Sequence, residues 1–453
     1  MMNMTDKKNN QRKQPSRFWL IAVIMGLGHL RAAYPFRDWA LQGKILETSS
    51  DFCSFDEYHL WNRLREWYYK MSRATAIPWA GKLALVLVRW SQFIPPLDTP
   101  HQHSAGFAVW FLHFLIKTKR LGASLHKLTE LHRTPQIHTF YATALAIDYW
   151  QKSSFNYLVI CDTDIHRIWA ALDTRDSHIN YLVPCRKARQ RLLAYGVPID
   201  HIHLTGFPLP PENIGDQENQ EILKMDLSRR LRTLDPNGCL DESSKQAVAK
   251  FLGTEYLSIP AVSPPTLMFA VGGAGAQLRH LKTVLENLAP YIRSGQLQIV
   301  LSAGIQESVY ESFFNFIFQL KLVEELKHKK IRIVYSHKYS EYFDRFNLEL
   351  RNTDLIWTKP SELSFYCGLG IPILINPPLG THEESNRNWL LEVGAGIDIP
   401  SVDKQFYYWF KQRLQDGSWA AMAWRGCQRV RKLGTFRIIN LIENQMKSAY
   451  PKY

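Results

Sequence analysis

A histidine follows the first glycine-rich turn of the chain. His29 comes directly after Gly26-Leu27-Gly28, and this turn follows the apolar run FWLIAVIM, residues 18–25, which predicts a buried strand. A neutral imidazole can accept a proton from a hydroxyl group near pH 7. Ligands of open α/β sheets bind at the carboxyl ends of the strands, which is where this turn should lie. His29 is therefore a candidate general base.

A second group of polar residues follows two apolar runs late in the chain. The run DLIW leads into Thr358-Lys359-Pro360-Ser361-Glu362, and the run IPILIN leads into residues 377–386, which include Glu383, Glu384 and Asn386. A lysine at a strand end can bind phosphate, while carboxylates and an amide can hydrogen-bond the hydroxyls of a ribose or a sugar. The alternative is that the two glutamates only begin a helix, whose N-terminal dipole favours acidic residues.

A further glycine-rich turn, GGAGAQ, follows the apolar run TLMFAV at residues 266–271. Its glycines, Gly272, Gly273 and Gly275, could bring backbone N–H groups to a diphosphate at the start of a helix. The chain has neither a complete dinucleotide fingerprint nor a GxxxxGK[ST] phosphate loop, and glycine also serves close packing of a strand against a helix. Ligand binding and packing are equally open explanations of both glycine turns.

Short apolar runs alternate with helical stretches on both sides of a polar middle segment. This alternation predicts βαβ units with parallel sheets, and hence an α/β protein with two Rossmann-like halves. The first unit, up to about residue 48, is expected to be a strand, the glycine turn and a helix from Arg31 onward. The predicted divisions are a disordered basic tail at 1–17, a first domain at 18–235, a linker at 236–262, a second domain at 263–400, and helices at 401–453 that pack back across the junction.

Residues 50–133 interrupt the alternation with aromatic and basic side chains. The stretches IPWAGKLALVLVRWSQFIP (77–95) and FAVWFLHFLIKTKR (107–120) are too short or too charged to span a bilayer, but they suit helices that lie in a lipid interface. The side chains expected to meet lipid headgroups are Trp79, Lys82, Arg89, Trp90, Trp110 and Lys117. The equally weighted alternative is an aromatic-rich helical insertion that packs on its own domain.

The composition narrows the choice of partner and compartment. The net charge of +14, from 55 Lys and Arg against 41 Asp and Glu, indicates an anionic partner. Nucleic acid is disfavoured because no recognised nucleic-acid-binding module is present. The six cysteines lie far apart and form no CxxC pair, which indicates reduced thiols, a cytosolic compartment and no structural metal.

The basic residues 1–17 and the apolar run after them also have the order of a signal peptide. A buried strand is the preferred interpretation of that run, because a glycine turn and a helical stretch follow it.

Together, these motifs resemble the two-domain GT-B glycosyltransferases. This family includes monogalactosyldiacylglycerol synthase, the processive diacylglycerol glucosyltransferases and the lipid-linked N-acetylglucosaminyltransferase of peptidoglycan synthesis. GLGHLRAA (26–33) resembles the family's GGGH-type first loop, CDTDIHRIWAALD (161–173) its "TD…H…W…D" segment, and LTGFPLP (204–210) its "GxP" exit from the first domain. TLMFAVGGAGAQ resembles the "GG" donor-phosphate loop, and residues 354–396 resemble the motif "D…TKPG…GxP…PGQEExNAxxLxxxGAG". The similarity covers, with gaps, residues 18–48 and 135–400.

The resemblance implies GT-B architecture and transfer of a sugar from a nucleotide diphosphate, most often UDP, to an acceptor on the first domain. It assigns the base role to His29 and places Gly28 on the acceptor side. Asp164 could steady the acceptor or the base, or could only cap a helix. The residues assigned to the donor are Gly272, Gly273, Gly275, Thr358, Lys359, Ser361, Glu362, Glu383, Glu384 and Asn386. The expected acceptor is a lipid or another membrane-associated molecule, and the expected enzyme is cytoplasmic, peripheral to an anionic membrane surface, and independent of metal and cofactor.

The chain departs from the family motif at three places. Phe365 falls where the family carries the glutamate that binds the ribose, His382 replaces a glutamine, and Ser361-Glu362 replaces a glycine turn. Glu362 is a candidate to reach the ribose instead. Two hypotheses follow: an active glycosyltransferase, or a catalytically inactive protein of the same fold that binds at a membrane surface.

Overall fold

The computed structural model describes residues 18–24, 26–48, 53–74, 93–99, 102–130, 134–256, 260–261, 264–271, 278–378, 380–400 and 405–449. Several predictions therefore lie outside the described residues. They concern the basic tail at 1–17, the aromatic and basic side chains Trp79, Lys82, Arg89 and Trp90, and the glycines Gly272, Gly273 and Gly275.

The first domain is built on a six-stranded parallel sheet with the order β2-β1-β3-β4-β5-β6. Its strands are β1 (Phe18–Ala22), β2 (Ala40–Glu47), β3 (Gln136–His138), β4 (Asn156–Val159), β5 (Ile179–Val183) and β6 (Ile202–Leu204). Its helices are α1 (Gly28–Ala33), α2 (Phe55–Ala74), α3 (Phe107–Lys119), α4 (Ala123–Glu130), α5 (Tyr141–Gln151) and α6 (Arg186–Ala194). Helices α7 (Glu221–Leu234) and α8 (Glu242–Leu252) follow.

The second domain repeats this plan with a six-stranded parallel sheet in the order β12-β11-β10-β7-β8-β9. Its strands are β7 (Thr266–Ala270), β8 (Gln298–Gly304), β9 (Ile331–Tyr335), β10 (Leu355–Thr358), β11 (Ile373–Ile375) and β12 (Gly396–Asp398). Its helices are α9 (Leu278–Arg293), α10 (Glu307–Gln319), α11 (Val323–Lys327), α12 (Tyr339–Leu350) and α13 (Thr381–Val393). The two sheets confirm the predicted α/β class with two Rossmann-like domains.

The strands are buried because helices cover the sheets. Every residue of β4, β5 and β7 is buried, as expected for parallel strands whose sequences are almost continuously apolar. One apolar cluster runs from Phe18 in β1 through Phe207 to Trp357 in β10. The two domains therefore share a continuous core at their junction.

The region after the first glycine turn differs from the prediction of a helix up to about residue 48. Helix α1 ends at Ala33, a 3₁₀ turn covers Tyr34–Trp39, and Ala40–Glu47 form β2 at the sheet edge. Pro35 has no N–H to continue an α-helix, and Gln42 and Gly43 both have positive φ, which an α-helix excludes. The expectation of a long first helix was wrong for these reasons.

Among the described residues between β2 and β3, the structure has helices α2, α3 and α4, where an aromatic-rich helical segment was expected. Helix α3 packs Val109, Leu112, Leu115 and Ile116 inward. Whether this segment is an insertion relative to the resembling family stays a prediction. Within the part of the chain that the structure describes, no helix is long and apolar enough to cross a bilayer.

Helices α14 (Phe406–Gln415), α15 (Ser418–Arg429) and α16 (Gly434–Ala449) complete the chain. The ring of Phe406 in α14 stacks on Trp357 of the second domain, with 5.1 Å between ring centroids. Helix α16 contacts the first domain, since Thr435 Oγ1 donates to Leu209 O at 2.6 Å and Arg437 Nη1 donates to Thr205 O at 3.2 Å. A Cβ on Gly434 would lie 2.1 Å from Phe207 O, so glycine is required where this helix begins.

Candidate functional site

His29 lies at the start of α1, at the carboxyl end of β1. Its Nδ1 is 2.6 Å from Thr139 O, and because a carbonyl oxygen only accepts, Nδ1 must carry the proton of the neutral ring. Nε2 is then the basic nitrogen. The ring packs edge-on to Phe140, with 5.0 Å between centroids, and burial lowers the pKa of His29 below its usual value. The imidazole is therefore neutral at pH 7, as a general base must be.

Glu362, from the second domain, lies against the glycine turn that carries His29. A Cβ placed on Gly28 would be 3.0 Å from Glu362 Oε2, so glycine at position 28 allows this close approach. The carboxylate also adds a favourable charge interaction for protonated His29. Glu362 thus faces the first domain, beside the candidate base, and its Oε1 accepts from Arg31 Nε at 3.1 Å.

Arg31 carries this contact across the domain boundary. Its guanidinium lies over the rings of Phe346 and Phe343, at 4.3 and 5.1 Å from their centroids, and its Nη2 donates to Tyr342 Oη at 3.3 Å. The side chain is buried, so its charge depends on Glu362 and on these aromatic faces. Arg31 fixes the orientation of α1 relative to the second domain.

Lys359 and Glu383 form an ion pair at the ends of β10 and α13. Lys359 Nζ donates to Glu383 Oε1 at 2.7 Å, and the Glu383 side chain is buried while that of Lys359 is partly exposed. Thr358 is buried and its Oγ1 donates to Ala270 O at 3.2 Å. Glu384 is exposed and accepts from Arg387 Nη1 at 3.0 Å, one turn along α13. Of the two glutamates, only Glu383 therefore joins the buried site.

Asn386 bridges the two domains. Its Oδ1 accepts from both the backbone N–H and the hydroxyl of Thr163, each at 2.9 Å. Its Nδ2 donates to Asp162 Oδ1 at 2.8 Å and to Pro360 O at 3.2 Å. The side chain is fully buried, so its hydrogen-bonding capacity is used by the protein itself in this conformation.

The position expected to bind the ribose is apolar. Phe365 is buried and stacks on Phe207 of the first domain, with 4.8 Å between ring centroids and 12° between ring planes. Phe365 also contacts Trp389 on α13. The neighbouring Ser361 bonds locally, its N–H donating to Lys359 O at 2.8 Å. Phe365 therefore joins the domain junction and has no polar group to offer a ribose.

Asp164 lies in a buried ion pair on the first domain. Arg191 donates to both carboxylate oxygens, from Nε to Oδ1 at 2.7 Å and from Nη2 to Oδ2 at 3.1 Å. Lys187 Nζ lies 3.6 Å from Oδ2. This bidentate pairing holds the loop after β4 against α6, and it gives Asp164 a structural role in this conformation.

Four residues at these contacts were not among the predicted site residues, although they lie in the motifs at 26–33 and 161–173: Arg31, Asp162, Thr163 and His166. The ring of His166 faces His382 across the domain boundary with 6.3 Å between centroids, and burial lowers the pKa of His166 to about 3. A signal existed for three of them, because the segment 161–173 follows a predicted strand and so belongs to the ligand-binding edge of the sheet. Arg31 also follows a predicted strand, but no local signal indicated its contact with Glu362, which is 331 positions away.

The structure thus places Glu362 against the turn of Gly28 and His29, pairs Lys359 with Glu383, and sets Asn386 against Asp162 and Thr163 of the first domain. Glu384 and Asp164 lie outside this group, and the glycines of the predicted diphosphate loop lie outside the described residues. Over the residues described, no group of three or more His, Cys, Asp and Glu side chains could hold a metal ion.

Comparison with known proteins gives one family model and several relatives. The family model, described as "Domain of unknown function (DUF6938)", matches residues 259–406. A processive diacylglycerol beta-glucosyltransferase from Bacillus subtilis (strain 168) is 21% identical over 295 residues, which is 64% of this chain and 62% of that protein. The chain therefore aligns with about three fifths of the length of this curated relative.

The solved structures that match this chain include the following two. One is a UDP-GlcNAc 2-epimerase from Neisseria meningitidis bound to UDP-GlcNAc, with a TM-score of 0.42 and 11% identity, covering 77% of this chain and 84% of that one. The other is the spinosyn rhamnosyltransferase SpnG, with a TM-score of 0.40 and 13% identity, covering 94% and 99%. Among these relatives, the diacylglycerol glucosyltransferase confirms the resemblance that the motifs indicated: the chain is similar in sequence to a GT-B glycosyltransferase.

Proposed function

We propose that this protein is a glycosyltransferase that moves a sugar from a nucleotide diphosphate, UDP in the first instance, to a hydroxyl of a lipid or another membrane-associated acceptor. The observation that carries the proposal is the contact between the motif segments of the two domains. Glu362 lies beside the turn of His29, and Asn386 contacts the strand-end loop of the first domain. Sequence similarity to a diacylglycerol glucosyltransferase supports the same assignment.

In the proposed reaction, Nε2 of His29 removes the proton from the acceptor hydroxyl as its oxygen attacks the anomeric carbon of the donor. The bond between that carbon and the diphosphate oxygen breaks, and the nucleotide diphosphate leaves with the electron pair. The proton passes from His29 to solvent. Thr139 O accepts from Nδ1–H and so holds the ring in the tautomer whose Nε2 is the basic nitrogen.

Lys359 is the side chain proposed to meet the leaving diphosphate. It is partly exposed, so it can exchange Glu383 for a phosphate oxygen without burying a new charge. Glu383 would then be available to a sugar hydroxyl. The glycines at 272, 273 and 275 keep their predicted role at the diphosphate.

The aromatic face of α3 supports a membrane-associated acceptor. Phe107, Trp110, Phe111 and Phe114 are 81%, 56%, 46% and 51% exposed, and Lys117 follows on the same helix. Large aromatic side chains gathered on one exposed helix face, with basic residues beside them, are typical of surfaces that lie in a lipid interface. We propose peripheral association with an anionic membrane through this face.

Thermal unfolding in the presence of nucleotides tests the donor assignment, because a ligand that binds only the native state raises the unfolding temperature. We expect a saturable rise with UDP or one UDP-sugar, which Lys359→Ala weakens. The matched control is Lys338→Ala, an exposed lysine of the same domain, which should leave the rise unchanged. A protein that responds to no nucleoside diphosphate or nucleotide sugar at millimolar concentration would contradict the donor assignment.

A second candidate function is binding at a membrane surface without sugar transfer. Two observations favour it. The side chain of Asn386 already makes its hydrogen bonds to other groups of the protein, and Phe365 occupies the position where the family carries the ribose-binding glutamate. His29→Ala separates the two functions. Turnover should be lost with membrane binding intact if the protein is a transferase, whereas a binding protein shows no turnover to lose.

A further inference from the structure

We propose that a basic pocket between α2 and α4 binds the phosphate of an anionic phospholipid headgroup. The proposal rests on the membrane association in the proposed function, but not on sugar transfer. The lining of the pocket includes none of the candidate site residues, so the proposed lipid site is separate from the proposed acceptor site.

The pocket has a volume of about 630 Å³ and is formed by the start of α2, the end of α3 and the start of α4. Its cationic lining consists of Arg63, Lys119, Arg120 and Lys127. Two acidic residues, Asp56 and Glu57, also line it, so basic residues are in excess. A pocket of this size and charge fits a phosphate group with its glycerol.

Glu57 stabilises the pocket wall and is not directed at a ligand. The side chain is buried, and its oxygens accept from the backbone N–H groups of Gly122 at 2.7 Å and Ser124 at 2.9 Å. This contact ties α2 to the first turn of α4. Because those N–H groups already have an acceptor, the anion must be held by the basic side chains.

Arg120 is held in place beside the pocket. It ends α3 in the left-handed conformation, with φ of 54°, and its guanidinium lies 5.4 Å from the ring centroid of Trp150. A stacked guanidinium keeps its planar set of N–H donors for hydrogen bonding at its edge. Arg120 is thus the cation of the pocket whose position is most closely defined.

An exposed aromatic stripe leads into the pocket. Phe107, Phe111, Phe114 and Thr118 follow one another at helical spacing on α3, and Thr118 lines the pocket. On the opposite wall, Phe55 is 77% exposed. An apolar stripe that ends in a cationic pocket is complementary to an amphiphile with an anionic head. A soluble phosphate would not contact the aromatic stripe, so we assign the pocket to a membrane phospholipid.

Flotation of the full-length protein with vesicles tests the assignment. The two vesicle types are phosphatidylcholine alone and phosphatidylcholine containing about one third phosphatidic acid, a content that gives a strongly negative surface. We expect Lys119→Gln/Lys127→Gln to lower the preference for the anionic vesicles about tenfold or more, since each lysine near such a surface contributes about 1 kcal/mol. Binding to neutral vesicles should change little.

Two further variants make the result specific. Lys321→Gln/Lys329→Gln removes the same charge from exposed sites in the second domain and should keep the preference for anionic vesicles. Phe111→Ser/Phe114→Ser should weaken binding to both vesicle types. Equal behaviour of the pocket variant and the charge-matched variant would overturn the proposal. So would release of the wild-type protein from anionic vesicles by inorganic phosphate at about millimolar concentration, where headgroup binding should persist.

Sugar transfer to an acceptor dispersed in neutral detergent is measured on the same variants. If transfer occurs there and the pocket variant behaves like its control on vesicles, the pocket proposal fails alone. If no transfer occurs but the pocket variant loses the anionic preference, the transferase assignment fails and the pocket stands.

Discussion

Replacing Asn386 with alanine removes a side chain that hydrogen-bonds to Thr163, Asp162 and Pro360 together. The variant leaves a buried N–H and hydroxyl on Thr163, a carboxylate oxygen on Asp162 and a buried carbonyl on Pro360 without their present partner. A lost hydrogen bond costs about 1 kcal/mol net, and an unpaired buried group costs more. The intrinsic preference of alanine for helices offsets only a few tenths of a kcal/mol.

We therefore expect Asn386→Ala to lower the free energy of unfolding by about 3 kcal/mol. Urea denaturation followed by tryptophan fluorescence measures this change. The matched control is Asn388→Ala, two residues further along α13 on an exposed position, which should cost less than about 0.5 kcal/mol. Small-angle scattering should also show a larger radius of gyration for Asn386→Ala, because the bridge between the domains is lost.

A partial variant separates the contributions. Thr163→Val removes the hydroxyl donor but keeps the backbone N–H, so we expect it to couple to Asn386→Ala by about 1 kcal/mol in a double-mutant cycle. If Asn386→Ala unfolds within about 0.5 kcal/mol of the wild type, the bridge contributes nothing to the native state and the interdomain role of Asn386 is refuted.

Three further predictions concern buried ionisable side chains. Arg31→Met should lower the free energy of unfolding by about 3 kcal/mol because it leaves the carboxylate of Glu362 without its cation, whereas Arg37→Met breaks a more exposed ion pair and should cost less than about 1 kcal/mol. A similar cost for both variants in urea denaturation would refute the anchoring role of Arg31. Burial lowers the pKa of His138 to about 3, so below pH 6.5 the unfolded state binds a proton that the folded state does not bind, and the free energy of unfolding falls as the pH falls. Between pH 7.5 and 5.5 the wild type should lose about 1.4 kcal/mol more unfolding free energy than His138→Gln, and equal losses would contradict this pKa. Because burial also lowers the pKa of His29, the acid limb of kcat/KM for transfer should have its midpoint below pH 6.5, and a midpoint above 7 would exclude His29 as a buried neutral base.

The sequence predicted the parts of the fold that depend on local pattern. Continuous apolar runs identified β1, β4, β7 and β10, and the polar residues after β4 and β10 lie at the carboxyl edges of the sheets as expected. Strand β2 was missed because it lies at the sheet edge and its sequence, ALQGKILE, has mostly exposed and partly buried positions instead of an apolar run.

The contacts between distant residues could not be predicted in this way. Arg31 and Glu362 are 331 positions apart, and neither carries a local signal for the other. Likewise, the motif identified Lys359, Glu383 and Asn386 as one group, but only the tertiary structure shows that the first two pair with each other and that the third contacts the first domain. Phe365 was recognised as a departure from the family motif, and its packing on Phe207 explains what the residue does instead.

The most direct test of the account is sugar transfer itself. The purified protein is incubated with labelled UDP-sugars and vesicles that contain diacylglycerol, and both released UDP and label in the lipid fraction are measured. The account predicts that one UDP-sugar gives equal amounts of the two products and that His29→Ala abolishes both while its thermal stability stays close to that of the wild type. Release of UDP without label in lipid or another membrane-associated acceptor, or transfer that persists in His29→Ala, would contradict it.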